Sequence, residues 1–378
     1  MRNVEERPTS VDDGTPSRDS ARGTVAGIAR VSIIVPMLNE EAQIEGLLAD
    51  IAAQTFTGDL ELLVADGGST DRSVERLRAA AARHELALTV IENPDRLIPH
   101  ALNACVRRAR GELIVRMDCR ARFAPDYVAR CIAAAEETGA WNVGGRTIPV
   151  GRTRTERAVG CATDSPFGGT GWTRMGSAAG RVEVDTVYCG VFRRDVFDRV
   201  GLFDEALPRN EDEDLNFRIR RAGGQVILDS RINVFYTPKG SVAELFRQYS
   251  GYGQGKVDLM RKHGRPITVR SVVPLAFVGS LAVLAPVSIR SRRARAVLLA
   301  ELTAYSGCAL GFGLRAIARR RESLRLLPNV VVAFPVLHTG YGTGLLRGLA
   351  GLVKRTVPRA RLDGGNAPRS PSYDVRRA

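Results

Sequence analysis

Two aspartates close apolar segments of this chain, at positions where their carboxylates could do chemistry. Asp118 ends ELIVRMD and is followed by a cysteine and Arg120, while Asp66 ends LELLVAD and precedes two glycines. A carboxylate can accept hydrogen bonds from N–H donors and can ligate hard cations such as Mg²⁺. A guanidinium cannot ligate a metal, but it pairs directly with anionic oxygens. These residues therefore predict ligand binding at the ends of two strands.

The elements that must position these residues follow a repeating order. Four apolar segments are each followed by a helical pattern, which predicts a doubly wound, mostly parallel α/β sheet with flanking helices. The segments are VSIIVP (31–36), LELLVA (60–65), LALTVIE (86–92) and ELIVRMD (112–118). In the first helix, apolar residues recur at helical spacing from Ile44 to Ile51, with Asn39 as the expected N-cap. Ligands of such sheets bind beyond the carboxyl ends of the strands.

Several common site types are excluded by what the chain lacks. No Gly-x-Gly-x-x-Gly follows the first strand and no Gly-Lys-Ser/Thr phosphate loop is present, which argues against a dinucleotide or P-loop enzyme. The six cysteines include no Cys-x-x-Cys pair, so neither a zinc site nor a disulfide framework is indicated. A reducing cytoplasm fits this cysteine usage best.

Four motifs resemble, in order and spacing, the family 2 glycosyltransferases with the GT-A fold. They are VSIIVPMLNEEAQIEGLL, VADGGSTDRSVERL, the triplet that begins at Asp118, and RNEDEDLNFRIRRAGG. The segments DTVYCGVFRRDVFDRVGLFDE and RQYSGYG are most similar to bacterial succinoglycan-type exopolysaccharide glycosyltransferases. The resemblance covers about residues 31–256. It implies an enzyme that transfers a sugar from a nucleotide diphosphate donor.

The resemblance also implies which residues bind the donor. Asp66 would accept a hydrogen bond from N3–H of uracil or guanine, and its neighbouring glycines would let the base approach the backbone. The other implied donor-site residues are Pro36, Asn39, Glu40, Ser69, Arg96 and Gly190. Simpler roles remain open for three residues: Asp66 can cap a turn, Glu40 can complement a helix dipole, and Gly190 can occupy a bulge.

Asp118 occupies the position of the first acid in the family's Asp-x-Asp element, which holds Mn²⁺ or Mg²⁺ against the diphosphate. Arg120 stands where the second acid would be. Either Asp118 alone anchors a weakly held ion, or Arg120 supplies part of the charge. In a third possibility, Arg120 and Arg122 face solvent and the site has decayed. We expect a metal, because a divalent ion bridges both phosphates of the leaving group.

The segment NEDEDLNFRIRRAGG (210–224) predicts a helix that begins near Asn210 and stops at its two glycines. Four acids in the first turn can simply complement the helix dipole. The family's Glu-Asp-x-Asp-Leu pattern, however, begins here at Glu211 and makes Asp212 the candidate general base of the catalytic pair. An inverting transfer requires one base and no enzyme nucleophile.

The segment RQYSGY falls where processive synthases carry Gln-x-x-Arg-Trp. Gln248 is kept, but Gly251 and Tyr252 replace the Arg-Trp pair. We therefore expect transfer of a single sugar rather than continuous polymerisation.

Positive charge is concentrated in the last third of the chain. Residues 1–256 carry 34 Lys+Arg and 36 Asp+Glu, whereas residues 257–378 carry 21 and 5. Three apolar runs, at 272–289, 296–314 and 327–353, alternate with the basic clusters. This pattern predicts a membrane-associated helical region at 257–357, with re-entrant or interfacial helices on an anionic membrane surface. A soluble helical domain with a basic surface is the alternative, and nucleic acid is not expected as a partner.

The expected organisation is a disordered leader at 1–30, a GT-A domain at 31–256, the membrane-associated region, and a disordered basic tail at 358–378. The expected function is transfer of one sugar, with inversion, from a UDP-sugar to a lipid-linked saccharide. This would occur at the cytoplasmic face of a bacterial plasma membrane, in exopolysaccharide or cell-envelope glycan synthesis. The rival interpretations are a sugar-phosphate nucleotidyltransferase and a catalytically impaired membrane scaffold.

Overall fold

A computed structural model of the chain describes residues 28–168, 180–264 and 269–356. Within these ranges, nine strands form one sheet in the order β3-β2-β1-β4-β8-β6-β9-β5, and β7 pairs with β9. The strands are β1 (Arg30–Met37), β2 (Asp59–Asp66), β3 (Ala87–Glu92), β4 (Leu113–Arg116), β5 (Ala121–Phe123), β6 (Asn142–Pro149), β7 (Arg181–Glu183), β8 (Val191–Arg193) and β9 (Val226–Tyr236).

Eleven α-helices lie in the same described ranges. They are α1 (Ile44–Ala52), α2 (Ser73–Arg83), α3 (Ile98–Arg108), α4 (Tyr127–Thr138), α5 (Arg154–Thr163), α6 (Asp195–Val200), α7 (Glu211–Arg221), α8 (Val242–His263), α9 (Val269–Ser288), α10 (Arg292–Arg319) and α11 (Leu327–Thr356). The predicted leader, apart from residues 28–30, and the predicted tail at 358–378 lie outside the described residues.

The parallel half of the sheet consists of the four predicted strands, β1 to β4, and a helix follows each of the first three directly. β1 pairs in parallel with β2 and β4, and β2 pairs in parallel with β3. Alternate residues of β1 face opposite sides of the sheet: Val31, Ile33 and Val35 pack into one core cluster and Ile34 into another. Helices therefore cover both faces, and the predicted doubly wound arrangement is confirmed.

The second half of the sheet is mixed. β8 is antiparallel to both β4 and β6, while β6 and β9 are parallel. The short strands β5 and β7 pair antiparallel with β9. The whole is a mostly parallel α/β sheet, as expected, in which β8 joins β4 of the parallel half to β6.

One helix boundary differs from the prediction. α1 begins at Ile44, and Gln43 rather than Asn39 precedes it. Asn39 has a φ of 54°, in the left-handed region, and its side-chain oxygen accepts a hydrogen bond from the backbone N–H of Thr70 at 2.8 Å. The prediction of Asn39 as N-cap is therefore wrong, because its side chain binds the neighbouring loop.

The C-terminal helices pack against the sheet domain through a third core cluster, which includes residues of α5, α8, α10 and α11. α11 crosses α8 at close range: a Cβ added to Gly344 would lie 2.0 Å from the backbone oxygen of Ser250. The predicted boundary after Lys256 falls inside α8, where Lys256 pairs with Glu213.

Two of the described helices are long and apolar enough to cross a membrane. These are α9, over Ser271–Ser288, and α10, over Arg292–Arg319, and only 11% of each apolar window is buried within the protein. α9 and α10 form a hairpin with Ile289 at its tip, where the side chain is 73% exposed. α11 is different, because Phe334, Leu337 and Leu345 are fully buried.

Candidate active site

Asp118 follows β4 directly, and its carboxylate binds a buried arginine. Nε of Arg116 donates to Oδ1 of Asp118 at 2.9 Å, and Nη2 donates to Oδ2 at 3.3 Å. The third contact, from Nη1 of Arg116 to Oε1 of Glu211, is 2.8 Å. Arg116 is only 6% exposed. A buried cation thus links the end of β4 to the first turn of α7.

The other two residues of the triplet point in different directions. Cys119 is buried with its Sγ 3.7 Å from the backbone oxygen of Pro36, and burial raises the pKa of its thiol. Arg120 is at the surface, where its Nε contacts both carboxylate oxygens of Glu40, at 2.8 and 3.1 Å. The cation that contacts Asp118 is therefore Arg116.

Arg122 is also engaged. Its guanidinium contacts the carboxylate of Asp50 at 2.6 and 2.7 Å. Arg120 and Arg122 are about half exposed, with side-chain exposures of 55% and 49%, and each pairs with an acid of the segment that follows β1.

The loops after β1 and β2 are joined by reciprocal hydrogen bonds. The N–H of Asn39 donates to Oγ of Ser69 at 2.9 Å, and the N–H of Glu40 donates to Oγ of Ser73 at 2.7 Å. In return, Thr70 donates to the side chain of Asn39. These contacts bring Asn39, Glu40 and Ser69 together at the carboxyl edge of the sheet, as the sequence predicted.

Asp66 closes the turn after β2. Its carboxylate accepts hydrogen bonds from the backbone N–H of Ser69 at 3.1 Å and from Oγ of Ser69 at 2.6 Å. The turn-capping role considered for Asp66 is thus present in the structure. Oδ1 also receives the Ser69 N–H at 3.3 Å, so the remaining acceptor capacity lies mainly at Oδ2, since an ionised carboxylate offers about four lone-pair sites.

The loop after β3 reaches the same edge. The N–H of Asn93 donates to the backbone oxygen of Asp66 at 2.8 Å. Arg96 follows in the left-handed region, with a φ of 59°, and its side chain is exposed. Arg96 therefore lies on the loop that borders Asp66.

Gly190 lies beside β4 and has a packing reason to be glycine. Its backbone oxygen accepts from the N–H of Arg116 at 3.1 Å. A Cβ at this position would lie 2.3 Å from the side-chain oxygen of Asn142, which is buried. The close approach of Asn142 is sufficient to require a glycine here, independently of any contact with a donor sugar.

The first-turn acids of α7 have different surroundings, and Asp212 stands apart from the others. In the described part of the chain, Asp212 is the one acid of the four without an ion pair, and its Oδ1 accepts the backbone N–H of Glu213 at 2.8 Å. Glu211 is buried against Arg116. Asp212 therefore combines the carboxylate of a base with proximity to the Arg116 network.

The last two acids of this turn attach α7 to α8. Glu213 pairs with Lys256. Asp214 is fully buried and accepts contacts from Lys262 and from His263 at 2.7 Å each. Their role is to fix the start of α7, and with it Asp212, against the long helix.

The charges of this region are strongly coupled. Burial raises the pKa of Glu211, Arg116 opposes that rise, and Asp212 adds to it. Burial alone would lower the pKa of Arg116, but Asp118 and Glu211 hold it well above its usual value. Arg116 is consequently a permanent cation among three acids.

Sequence reasoning missed three cations of this region. Arg116 could have been noticed as a charged residue inside an otherwise apolar strand. Lys239, between β9 and α8, is half-buried, and burial followed by repulsion from Arg120 lowers its pKa. Arg209 lies over α8, where a Cβ added to Gly251 would be 2.5 Å from its Nε. Arg209 opens the motif RNEDEDLNFRIRRAGG but was assigned no role, and Lys239 lies outside the motifs. Their placement depends on the packing of α8.

The donor set at Asp118 limits how a metal could be held. Among the residues that the structure describes, no group of three or more His, Cys, Asp and Glu side chains could hold an ion. Both oxygens of Asp118 contact Arg116, and Arg120 at the second-acid position contacts Glu40. A bound Mn²⁺ or Mg²⁺ would have Asp118 as its protein ligand, shared with Arg116, and would need phosphate oxygens and water in addition.

Comparison with known proteins places this site in a family context. Residues 32–201 match the family model described as glycosyl transferase family 2. The succinoglycan biosynthesis protein ExoA of Rhizobium meliloti is 28% identical over 329 residues, which cover 86% of this chain and 96% of that protein. An undecaprenyl-phosphate 4-deoxy-4-formamido-L-arabinose transferase of Pseudomonas paraeruginosa is 33% identical over 110 residues, or 28% of this chain and 32% of that protein.

A solved structure shares the fold. The mannosyltransferase PcManGT from Pyrobaculum calidifontis, solved in complex with GDP-Man and Mn²⁺, aligns with a TM-score of 0.62 and 22% sequence identity. The alignment covers 86% of this chain and 88% of that one. At this level of identity the likeness establishes the predicted GT-A-like architecture and no more.

Proposed function

Because this chain is a family 2 glycosyltransferase, with its family domain at residues 32–201, we propose that it transfers a single sugar, with inversion, from a nucleotide diphosphate sugar to a lipid-linked saccharide. A UDP-sugar is the proposed donor. The observation that carries the proposal is the position of Asp212, a carboxylate without an ion pair in the described structure, beside the Arg116 network that begins at Asp118.

The nucleoside end of the donor is assigned to the carboxyl edge of β1, β2 and β3. Asp66 offers its remaining acceptor capacity to a base N3–H, while Ser69 and Asn39 hold the two loops together. Pro36 lies directly below this edge, paired in register with Ala65. Arg96, on the bordering loop, is exposed and can contact the ribose or the phosphates.

The diphosphate is assigned to the region between Asp118 and α8. Arg120, Lys239 and Arg209 provide positive charge there, and Gly190 lies beside Arg116. Hydrogen-bond donors and cations that are already in place stabilise charge as it develops on a leaving diphosphate. When bound at Asp118, Mn²⁺ or Mg²⁺ would add Lewis-acid stabilisation of that charge.

Asp212 is the proposed general base, with Glu211 as its buried companion. In an inverting transfer the base takes the proton of the acceptor hydroxyl while that oxygen attacks the anomeric carbon. The bond to the leaving diphosphate breaks on the opposite face, so one carboxylate is sufficient. Glu211 and Asp214 fix the first turn of α7 through Arg116 and through α8, which leaves Asp212 available to the acceptor.

The acceptor is proposed to arrive from a membrane. α9 and α10 expose apolar side chains, and Arg290, Arg292, Arg293 and Arg295 lie at the tip of their hairpin. The second basic cluster, near residue 320, is only partly available for lipid headgroups, since Arg319 and Arg320 both pair with Asp164. ExoA, by name a succinoglycan biosynthesis protein, supports an exopolysaccharide or envelope glycan role. The cytoplasmic face of the bacterial plasma membrane is the proposed place of transfer.

The test is transfer from a panel of UDP- and GDP-sugars to lipid-linked saccharides in detergent, followed by NMR of the product anomer. We expect one donor to give a single sugar addition with inverted anomeric configuration. Retention of configuration, or donor consumption without release of a nucleoside diphosphate, would contradict the proposal.

A further inference from the structure

Taking the donor site as proposed above, we infer that Arg116 is a positioning residue that occupies the Asp118 carboxylate and thereby keeps the affinity of the site for a divalent cation low. The side chain of Arg116 makes three contacts, two with Asp118 and one with Glu211. Those contacts use both oxygens of Asp118. A divalent ion at Asp118 must therefore share or displace a guanidinium that is already in place.

Arg116 cannot move aside easily. Its side chain is 7% exposed, and that of Glu211, on the opposite side of the guanidinium, is also 7% exposed. Its backbone is fixed within β4, which pairs with β1 and β8. A buried ion pair broken on one side leaves an uncompensated charge, which is strongly unfavourable. Glu211 thus holds Arg116 against Asp118 when a second cation approaches.

The consequence is a metal site that depends on its substrate. The fixed positive charge repels a free divalent ion, while the two phosphates of the donor bring negative charge that offsets the repulsion. The ion is therefore expected to enter together with the nucleotide diphosphate rather than before it. The residue that governs this property precedes the Asp118 triplet, and Arg120, which contacts Glu40, is not responsible.

The inference is tested by Mn²⁺ binding to the full-length protein in detergent, without nucleotide, by calorimetry and electron paramagnetic resonance. The Arg116→Met variant should bind Mn²⁺ at least tenfold more tightly than the wild type. Arg116→Lys, which keeps the charge, should stay within about threefold of the wild type. Asp118→Asn defines the background from other acidic groups. Arg120→Met is the matched control and should change the Mn²⁺ affinity less than twofold.

Glu211 would be left buried without a partner in Arg116→Met, and that variant could fail to fold. The double variant Arg116→Met/Glu211→Gln removes this unpaired acid and still frees Asp118, so it should also bind Mn²⁺ more tightly than the wild type. The inference would be overturned if the folded double variant bound Mn²⁺ with the same affinity as the wild type, or if Arg120→Met bound Mn²⁺ more tightly than the wild type. Failure of the wild type to bind UDP would instead count against the proposed function, because the Mn²⁺ titration contains no nucleotide.

Discussion

Asp66 closes its own turn, and we propose that the same carboxylate also accepts a hydrogen bond from the base of the donor. Both contacts to Ser69 use one carboxylate. Removal of the carboxylate should therefore weaken nucleotide binding and loosen the turn. These two effects can be separated by comparison with a variant that lacks only the Ser69 hydroxyl.

We predict that Asp66→Ala weakens UDP affinity by about tenfold to a hundredfold, since a hydrogen bond to a charged group is worth about 1.5 to 3 kcal/mol. Ser69→Ala, which removes the 2.6 Å contact but keeps the carboxylate, should have a smaller effect. Calorimetric titration with UDP measures both. Equal losses in the two variants would show that Asp66 acts only through the turn.

The sequence predicted the positions of polar residues where a motif coincides with a strand end. It did not predict which charged side chains pair with each other, because those pairs depend on packing. Asp118 lies just beyond β4, as expected, but the cation considered beside it was Arg120, which contacts Glu40, whereas the cation that contacts Asp118 is Arg116. Alternation along a strand sends Arg116 and Asp118 to the same side, so the contact follows from the pleat. What the sequence could not reveal is that Glu211, 95 residues away, completes the network.

At the scale of elements, the four predicted strands are confirmed, and a helix follows each of the first three directly, whereas β5 lies between β4 and α4. α7 also lies where its acids and glycines predicted it. The contacts of α8 with α7 and α11 were not predictable from the sequence. They depend on glycines that allow close approach between elements far apart in the chain. Gly251 and Gly255 accommodate Arg209 and Asn210, and Gly344 accommodates Ser250.

We predict that Gly344→Ala destabilises the protein, because the added Cβ would lie 2.0 Å from a backbone oxygen of α8 that cannot yield as a side chain would. Overpacking of this kind typically costs about 1 to 3 kcal/mol. Gly351→Ala, also in α11, is the matched control, since a Cβ there meets no atom within 4 Å. Thermal unfolding in detergent should show a lower midpoint for Gly344→Ala and an equal or higher one for Gly351→Ala.

At the scale of the whole molecule, the last third of the chain, which is basic and contains the apolar runs, forms helices that lie in different environments. α11 is integrated into the core, whereas α9 and the start of α10 project from it with exposed apolar side chains. A helix of 20 residues, such as α9, is about 30 Å long, close to the thickness of a bilayer's hydrocarbon core. The tip of the hairpin carries four arginines, which suits anionic headgroups.

We predict that the full-length protein floats with anionic liposomes and that substitution of Val283, Val287 and Ile289 by serine abolishes flotation. These side chains are 62%, 47% and 73% exposed, so their loss should not disturb the core. Val150→Ser, at a site 48% exposed in the sheet domain, is the control and should leave flotation unchanged. Absence of flotation by the wild type would favour a soluble helical domain, and flotation of the triple variant equal to that of the wild type would show that these three side chains do not attach the protein to the membrane.

The claim that joins these scales is that Asp212 takes the acceptor proton in a site held together by Arg116. It is tested most directly by measuring sugar transfer and UDP affinity in the same preparations of wild type and Asp212→Asn, with Glu213→Gln as a neighbouring control that is ion-paired to Lys256. Loss of a general base should lower the transfer rate by about 10² to 10⁴ while UDP affinity stays nearly unchanged, because the base acts on the acceptor. Transfer by Asp212→Asn within about threefold of the wild-type rate would contradict the account.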